Sequence, residues 1–157
     1  MVADSTSTLD RQLCFALYNA SRAFTNLYRP LLEDLGLTYP QYLVMLVLWE
    51  REALTVKELG SALRLDSGTL SPLLKRLQAR GLLTRHRSEQ DERSVAVAIT
   101  DDGRALQQQA REIPERVVSA TGMEITDAIE LRTTLHELTD ALDAAAKREI
   151  EERETQG

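Results

Sequence analysis

The 157-residue sequence has one cysteine, two histidines and no run of apolar residues long enough to cross a bilayer. Each scarcity removes a class of protein. A single cysteine, Cys14, cannot close an intrachain disulfide, which suits a reducing cytoplasm. With only His86 and His136, far apart in the chain, there is no zinc ligand set, and neither a metal nor another cofactor is expected. The opening MVADSTSTLDRQL lacks a basic stretch followed by an apolar one, so it does not read as a secretory signal. Neither a glycine-rich phosphate loop nor a catalytic triad is present, and the chain is not expected to be an enzyme. Internal repeats, low-complexity blocks and long linkers are missing too.

What remains is an ordinary globular composition, 43% hydrophobic and 28% charged, with a net charge of −6. The charge is unevenly placed. Between Thr55 and Val95 lie eight Lys or Arg and five acids, so this stretch is positive and the rest of the chain is strongly acidic. A basic middle between acidic ends concentrates the attraction for phosphate in one module.

The order of elements in TVKELGSALRLDSGTLSPLLKRLQARGLLTRHRSEQDERSVAVAIT supports that reading. Thr55 and Glu58 form a capping box that opens a short helix, with Leu59, Ala62 and Leu63 facing inward. A longer helix follows Asp66-Ser67-Gly68, with regular geometry expected from Thr69 so that Pro72 falls in its first turn. Gly81 closes it. Leu70, Leu73, Leu74 and Leu77 share one face, and Ser71, Pro72, Lys75, Arg76 and Ala79 share the other. Small polar groups at one end and basic groups further along suit insertion into a major groove. Two strands, Leu82 to Arg87 and Val95 to Thr100, then flank a charged loop. There Arg93 is placed to enter a narrow minor groove, held by Asp91. This is the order of a winged helix-turn-helix over residues 37–100.

Helices flank the module. The first is expected from Ser7 or Thr8 to Leu35, with a kink at Pro30 and a left-handed stop at Gly36. Leu13, Leu17, Ala20, Phe24, Leu27 and Leu31 recur at heptad spacing. Beside them runs a polar stripe of Cys14, Tyr18, Ser21, Thr25 and Tyr28. Cys14 and Tyr28 are 14 residues apart, about 21 Å along a helix, so Tyr28 can meet Cys14 only from another copy of the chain. Thr38 and Gln41 form a second capping box, opening a helix to about Arg51 in which Tyr42, Leu43, Leu46, Val47 and Trp49 are apolar and hence buried. Thr100 caps a helix toward Val118, kinked at Pro114. A last helix runs from about Ile125 past Ile150, with Leu131, Leu135, Leu138, Leu142 and Ala145 again at heptad spacing and a fraying acidic tail. Residues 1–36 and 101–157 are therefore expected to pair two chains as a homodimer.

LRLDSGTLSPLLKRLQARGLLTR followed by DERSVAVAITDDG resembles the MarR family of dimeric winged-helix regulators, and the resemblance extends from about Leu9 to Ile150. It implies a mainly α fold with a small β-hairpin wing, and binding of pseudo-palindromic operator DNA through Ser67, Thr69, Ser71, Pro72, Lys75, Arg76, Arg87, Asp91 and Arg93. The stretch LCFALYNASRAFTNLYRPLLEDLGLTYPQYLVMLVLWE is similar to the OhrR-type organic hydroperoxide sensors within that family. That resemblance makes Cys14 the redox-sensing residue, with Tyr28 and Tyr39 reaching it across the dimer and Tyr18 beside it. Only a thiolate attacks a peroxide bond, and phenol donors stabilise one. Some members carry a second cysteine that closes an intersubunit disulfide. This chain has none, so the resemblance implies the one-cysteine subtype, induced by an organic hydroperoxide and completed by a small cellular thiol or overoxidation. Two other readings compete: a MarR-type regulator of a small aromatic ligand with Cys14 as a small buried hydrophobe, and a thiol peroxidase.

Overall fold

The computed structural model describes residues 8–88 and 93–155. The fold is mainly helical with one small antiparallel sheet, and the chain divides into two compact units after Ile113. In the first unit, α1 (Leu13–Glu33) leads into α2 (Tyr39–Arg51), β1 (Ala53–Thr55), α3 (Val56–Leu63), α4 (Ser67–Ala79), β2 (Leu83–Arg87), β3 (Val95–Ile99) and α5 (Asp101–Ala110). After α6 (Ile113–Thr121), the second unit holds the long α7 (Ile125–Thr155).

Local chemistry sets most of these boundaries. Thr38 and Thr55 each accept a bond from the backbone N–H three residues on, and Gln41 and Glu58 reciprocate, so both capping boxes are formed. Asp66 caps α4 by accepting from the Thr69 N–H at 2.8 Å, and Thr100 caps α5 by accepting from Gly103. Gly36 and Gly81 adopt φ of 61° and 73° just past the ends of α1 and α4, where only glycine turns at no steric cost.

Several boundaries differ from the expectation. The first helix begins at Leu13. Thr8 to Arg11 instead form a turn, in which the Gln12 N–H bonds the Leu9 carbonyl, and Ser7 lies outside the described residues. It continues through Pro30. The fourth helix begins at Ser67, two residues early, because the Asp66 cap fixes its first turn. Pro72 is therefore interior and leaves the Gly68 carbonyl without its helical donor. The helix expected from Thr100 to Val118 breaks at Arg111–Glu112, and Pro114 sits second in α6, where its missing N–H costs nothing. The wing gains a third strand, β1. It pairs with β3 in the order β1-β3-β2, with Leu54 opposite Val97 and Arg85 opposite Val97 on the other side.

The core of the first unit lies where α2, α3 and α4 meet the sheet. Leu32, Tyr42, Val44, Met45, Leu48, Leu59, Leu70, Leu74, Leu77, Leu83 and Val97 are all but inaccessible. In α2 the buried set is Gln41, Tyr42, Val44, Met45 and Leu48. Leu46, expected inside, is 39% exposed, and Leu43, Val47 and Trp49 are half-buried. On the inner face of α3 Gly60 is buried and Ala62 is exposed, and a Cβ at Gly60 would press on the Leu65 carbonyl. In the second unit α7 buries none of its 31 residues.

Candidate functional site

Two sets of side chains stand out. The first lies along α1 and the start of α2. Cys14 is the second residue of α1 and is exposed. Its sulfur lies 3.9 Å from Gln12 Oε1. Tyr18, one turn on, is 57% exposed, and Arg22 stacks over its ring at 5.5 Å. At the far end of the helix the Tyr28 ring packs 4.6 Å from that of Tyr39 and 5.7 Å from that of Tyr42. Tyr42 in turn meets the edge of Trp49 at 6.0 Å, and the Trp49 indole N–H donates to the Gly103 carbonyl at 2.8 Å.

Burial, reinforced by the neighbouring Tyr39 and Tyr42 phenols, pushes Tyr28 up to about 12. Burial likewise raises Tyr39 and Tyr42 above the usual phenol value. All three therefore stay protonated and able to donate at neutral pH. Two of the predicted sensing residues, Tyr28 and Tyr39, are thus brought together on one chain, while Cys14 and Tyr18 lie nearer the start of α1, about four and about three turns before Tyr28. Tyr42 and Trp49, read from sequence as plain apolar residues, complete the aromatic row. On the single chain the Cys14 thiol is exposed.

The second set surrounds α4. A cleft of about 750 Å³ opens between α3, α4 and the wing strands. Lys57, Arg64, Arg85 and Arg93 line it with Ser61, Ser67 and Ser71, and no carboxylate appears among the described lining residues. Thr69, Pro72, Lys75 and Arg76 lie on the exposed outer face of α4, opposite buried Leu70, Leu74 and Leu77. The Thr69 hydroxyl donates to Asp66 Oδ2 at 3.1 Å, so it is part of the helix cap. Arg87 ends β2, exposed. Asp91, with its expected grip on Arg93, lies outside the described residues. Lys57, Arg64 and Arg85 contributed to the basic charge of the sequence but were not singled out. Arg64 joins the cleft through a φ of 54° at the end of α3, a left-handed turn that nothing in the sequence marks. Arg85 is aimed by its bond to Gln78 at 2.7 Å.

Four likenesses bear on the chain. A family profile described as transcriptional regulator SarA/Rot matches residues 26–110. The organic hydroperoxide resistance transcriptional regulator of Bacillus subtilis (strain 168) is 49% identical over 85% of this chain and 91% of its own. The HTH-type transcriptional regulator TtmR of Methylorubrum extorquens is 51% identical over 91% of this chain and 73% of its own. Among solved structures, reduced AbfR bound to DNA superposes with a TM-score of 0.75 at 38% identity, covering 86% of this chain and 92% of that one. These relatives are transcriptional regulators rather than enzymes. The chain belongs to the SarA/Rot family of transcriptional regulators and, within the MarR-type winged-helix proteins, to the OhrR-type group.

Proposed function

We propose that two copies of this chain form a repressor that grips operator DNA while Cys14 is reduced and releases it when an organic hydroperoxide oxidises Cys14. One observation carries the reading. The lone, exposed sulfur sits at the start of a helix whose far end holds the paired phenols Tyr28 and Tyr39, about 21 Å away at 1.5 Å per residue. Only a second copy, with its α1 running the other way, closes that gap. The likeness to a hydroperoxide resistance regulator supports it.

The chemistry is a two-electron oxidation of sulfur. The Cys14 thiolate attacks the outer peroxide oxygen. An S–O bond forms and the O–O bond breaks. The departing alkoxide takes up a proton and leaves as an alcohol, and Cys14 becomes a sulfenic acid. With no other cysteine in the chain, a small cellular thiol then condenses with it, forming a mixed disulfide and releasing water. Bulk at Cys14 displaces the partner's Tyr28 and Tyr39, and the two recognition helices leave their half-sites, spaced about 34 Å apart.

DNA is held by α4 and the wing. Ser67, Thr69, Ser71, Pro72, Lys75 and Arg76 face the major groove, while Arg87 and Arg93 reach phosphate or minor groove. Lys57, Arg64 and Arg85 add positive charge in the cleft beside α4. The exposed heptad residues of α1 and α7 are covered by the second copy.

The test is operator binding by the Cys14→Ser variant with and without cumene hydroperoxide. The variant is expected to bind as the parent does and to stay bound after peroxide. If Cys14→Ser still lets go on peroxide addition, the redox reading is wrong, and a regulator of a small aromatic ligand takes its place. Sustained peroxide turnover with a thiol reductant would instead favour a peroxidase.

A further inference from the structure

The residues that connect the sensing phenols to the DNA-reading helix lie at the corner between α1 and α2. Arg80, the residue that ends α4, reaches back across the fold to this corner. Its Nη1 donates to the Gly36 carbonyl at 2.5 Å and its Nη2 to the Leu35 carbonyl at 2.9 Å. The guanidinium thus forks over two consecutive carbonyls just past the C-terminal end of α1, where the helix dipole is negative and a cation is favoured. Gly36 allows the approach twice over. It takes a φ of 61°, and a Cβ there would stand 3.0 Å from Nη2. Three residues further on, Tyr39 stacks on Tyr28. The corner is therefore gripped from one side by the phenol pair and from the other by the end of the recognition helix.

We propose that Arg80 is the positioning residue that ties the α1–α2 corner to α4, so that displacement of the Tyr28–Tyr39 pair moves the recognition helix. This rests on the redox reading above. Coupling of this kind needs an element that both sites bias. Arg80 provides the link at the corner, because its two bonds go to backbone and follow the corner wherever it moves. α4 does not depend on Arg80 for its own formation: Asp66 caps its start and Leu70, Leu74 and Leu77 anchor its inner face. A lysine would not be equivalent, since an ammonium is a point donor and holds one carbonyl where the fork holds two.

The experiment measures operator affinity of the full-length dimer before and after cumene hydroperoxide, and takes the ratio. The parent is expected to show a ratio in the ordinary range for allosteric coupling, about 5- to 150-fold. Arg80→Gln should keep its reduced-state affinity within about threefold, because the base-reading face of α4 is untouched, while its ratio falls to within about twofold of one. Mass spectrometry should find Cys14 oxidised at the parental rate in that variant. A parental ratio in Arg80→Gln overturns the proposal, as does a reduced-state affinity already as poor as that of the oxidised parent. If Arg80→Gln does not fold, Arg80→Lys decides: a lowered ratio supports the fork and a parental ratio sinks it. A parent whose own ratio is one refutes the redox reading, separately from any role of Arg80.

Discussion

Replacing Tyr28 by Phe removes one oxygen atom and leaves the ring pair intact, which makes it a clean probe of the sensor. The hydroxyl is a proton donor held neutral far above physiological pH, its pKa being pushed up to about 12. A hydrogen bond to a charged group contributes about 1.5–3 kcal/mol. If that bond stabilises the attacking sulfur, its loss slows oxidation by about 10- to 150-fold. Tyr42→Phe is the internal control: its ring lies in the core of its own subunit, 1% exposed, and loss of its hydroxyl is not expected to change the rate. Geometry then adds a sharper requirement. Cys14 and Tyr28 of one chain are about 21 Å apart along α1. Their two side chains together span only about 9 Å from standard bond lengths. A Tyr28 hydroxyl that reaches Cys14 would therefore have to come from the second copy. Mixed dimers of one Cys14→Ser subunit and one Tyr28→Phe subunit test this by stopped-flow oxidation. The single remaining thiol belongs to the Tyr28→Phe chain and faces the intact Tyr28 of its partner, so it should react at the parental rate. Reaction at the slow rate of the Tyr28→Phe homodimer would mean that the phenol works within its own subunit, and the argument would fall.

Other outcomes follow from the same structure. Arg76→Ala and Arg93→Ala should each weaken operator binding and lower the slope of log affinity against log salt by about one, as expected for a lost phosphate contact. Glu152→Gln, in the acidic tail, should change neither. Gly103→Ala should destabilise the first unit by about 3 kcal/mol, because the new Cβ would overlap the Leu82 carbonyl, which cannot swing aside. The melting temperature should drop by about 10 °C, and emission from Trp49 should shift to the red as its bond to Gly103 breaks. Stability should also depend on pH at both extremes. Tyr28 titrates higher in the folded chain than in the unfolded one, so its contribution is complete below pH 10 and is lost as pH rises toward about 12. Glu58 and Asp66 are held below their usual values by bonds from Thr55 and Thr69. Their contribution is present above the ordinary carboxylate range and is lost as pH falls through their lowered values. Melting curves of the parent, Tyr28→Phe and Asp66→Ala between pH 3 and 12 should show each loss removed in the matching variant.

Much of the fold was legible because it is set by neighbours in sequence. Thr38 with Gln41, Thr55 with Glu58, Gly36 and Gly81 each mark a helix end within four residues of one another, and all act where expected. The same locality explains the misses. Strand β1 is three residues long and exists because Leu54 lies opposite Val97, more than forty positions away. At α4, Asp66 and Pro72 gave competing local signals, and the cap prevailed. In α2 the apolar residues run nearly all the way round, so periodicity did not show that Met45 faces the core and Leu46 does not. The site divides along the same line. Ser71, Lys75 and Arg76 could be placed from helical spacing, whereas Arg64 and Arg85 join the cleft only through a left-handed turn and a strand register.

The exposed seams carry this reasoning past the single chain. Leu13 is 65% exposed, Phe24 42% and Leu142 57%, each at heptad spacing within its helix. Scattered apolar residues on a surface need no explanation, but a periodic row of them along a helix does, above all along α7, where no residue is buried. The row on α1 shares its helix with Cys14 and Tyr28, so whatever covers it also determines what stands opposite the sulfur. A second copy related by a two-fold axis, as proposed, would present its own Tyr28 end to the first copy's Cys14 end. One such pairing would both cover the apolar row and supply the phenols that Cys14 cannot reach on its own chain.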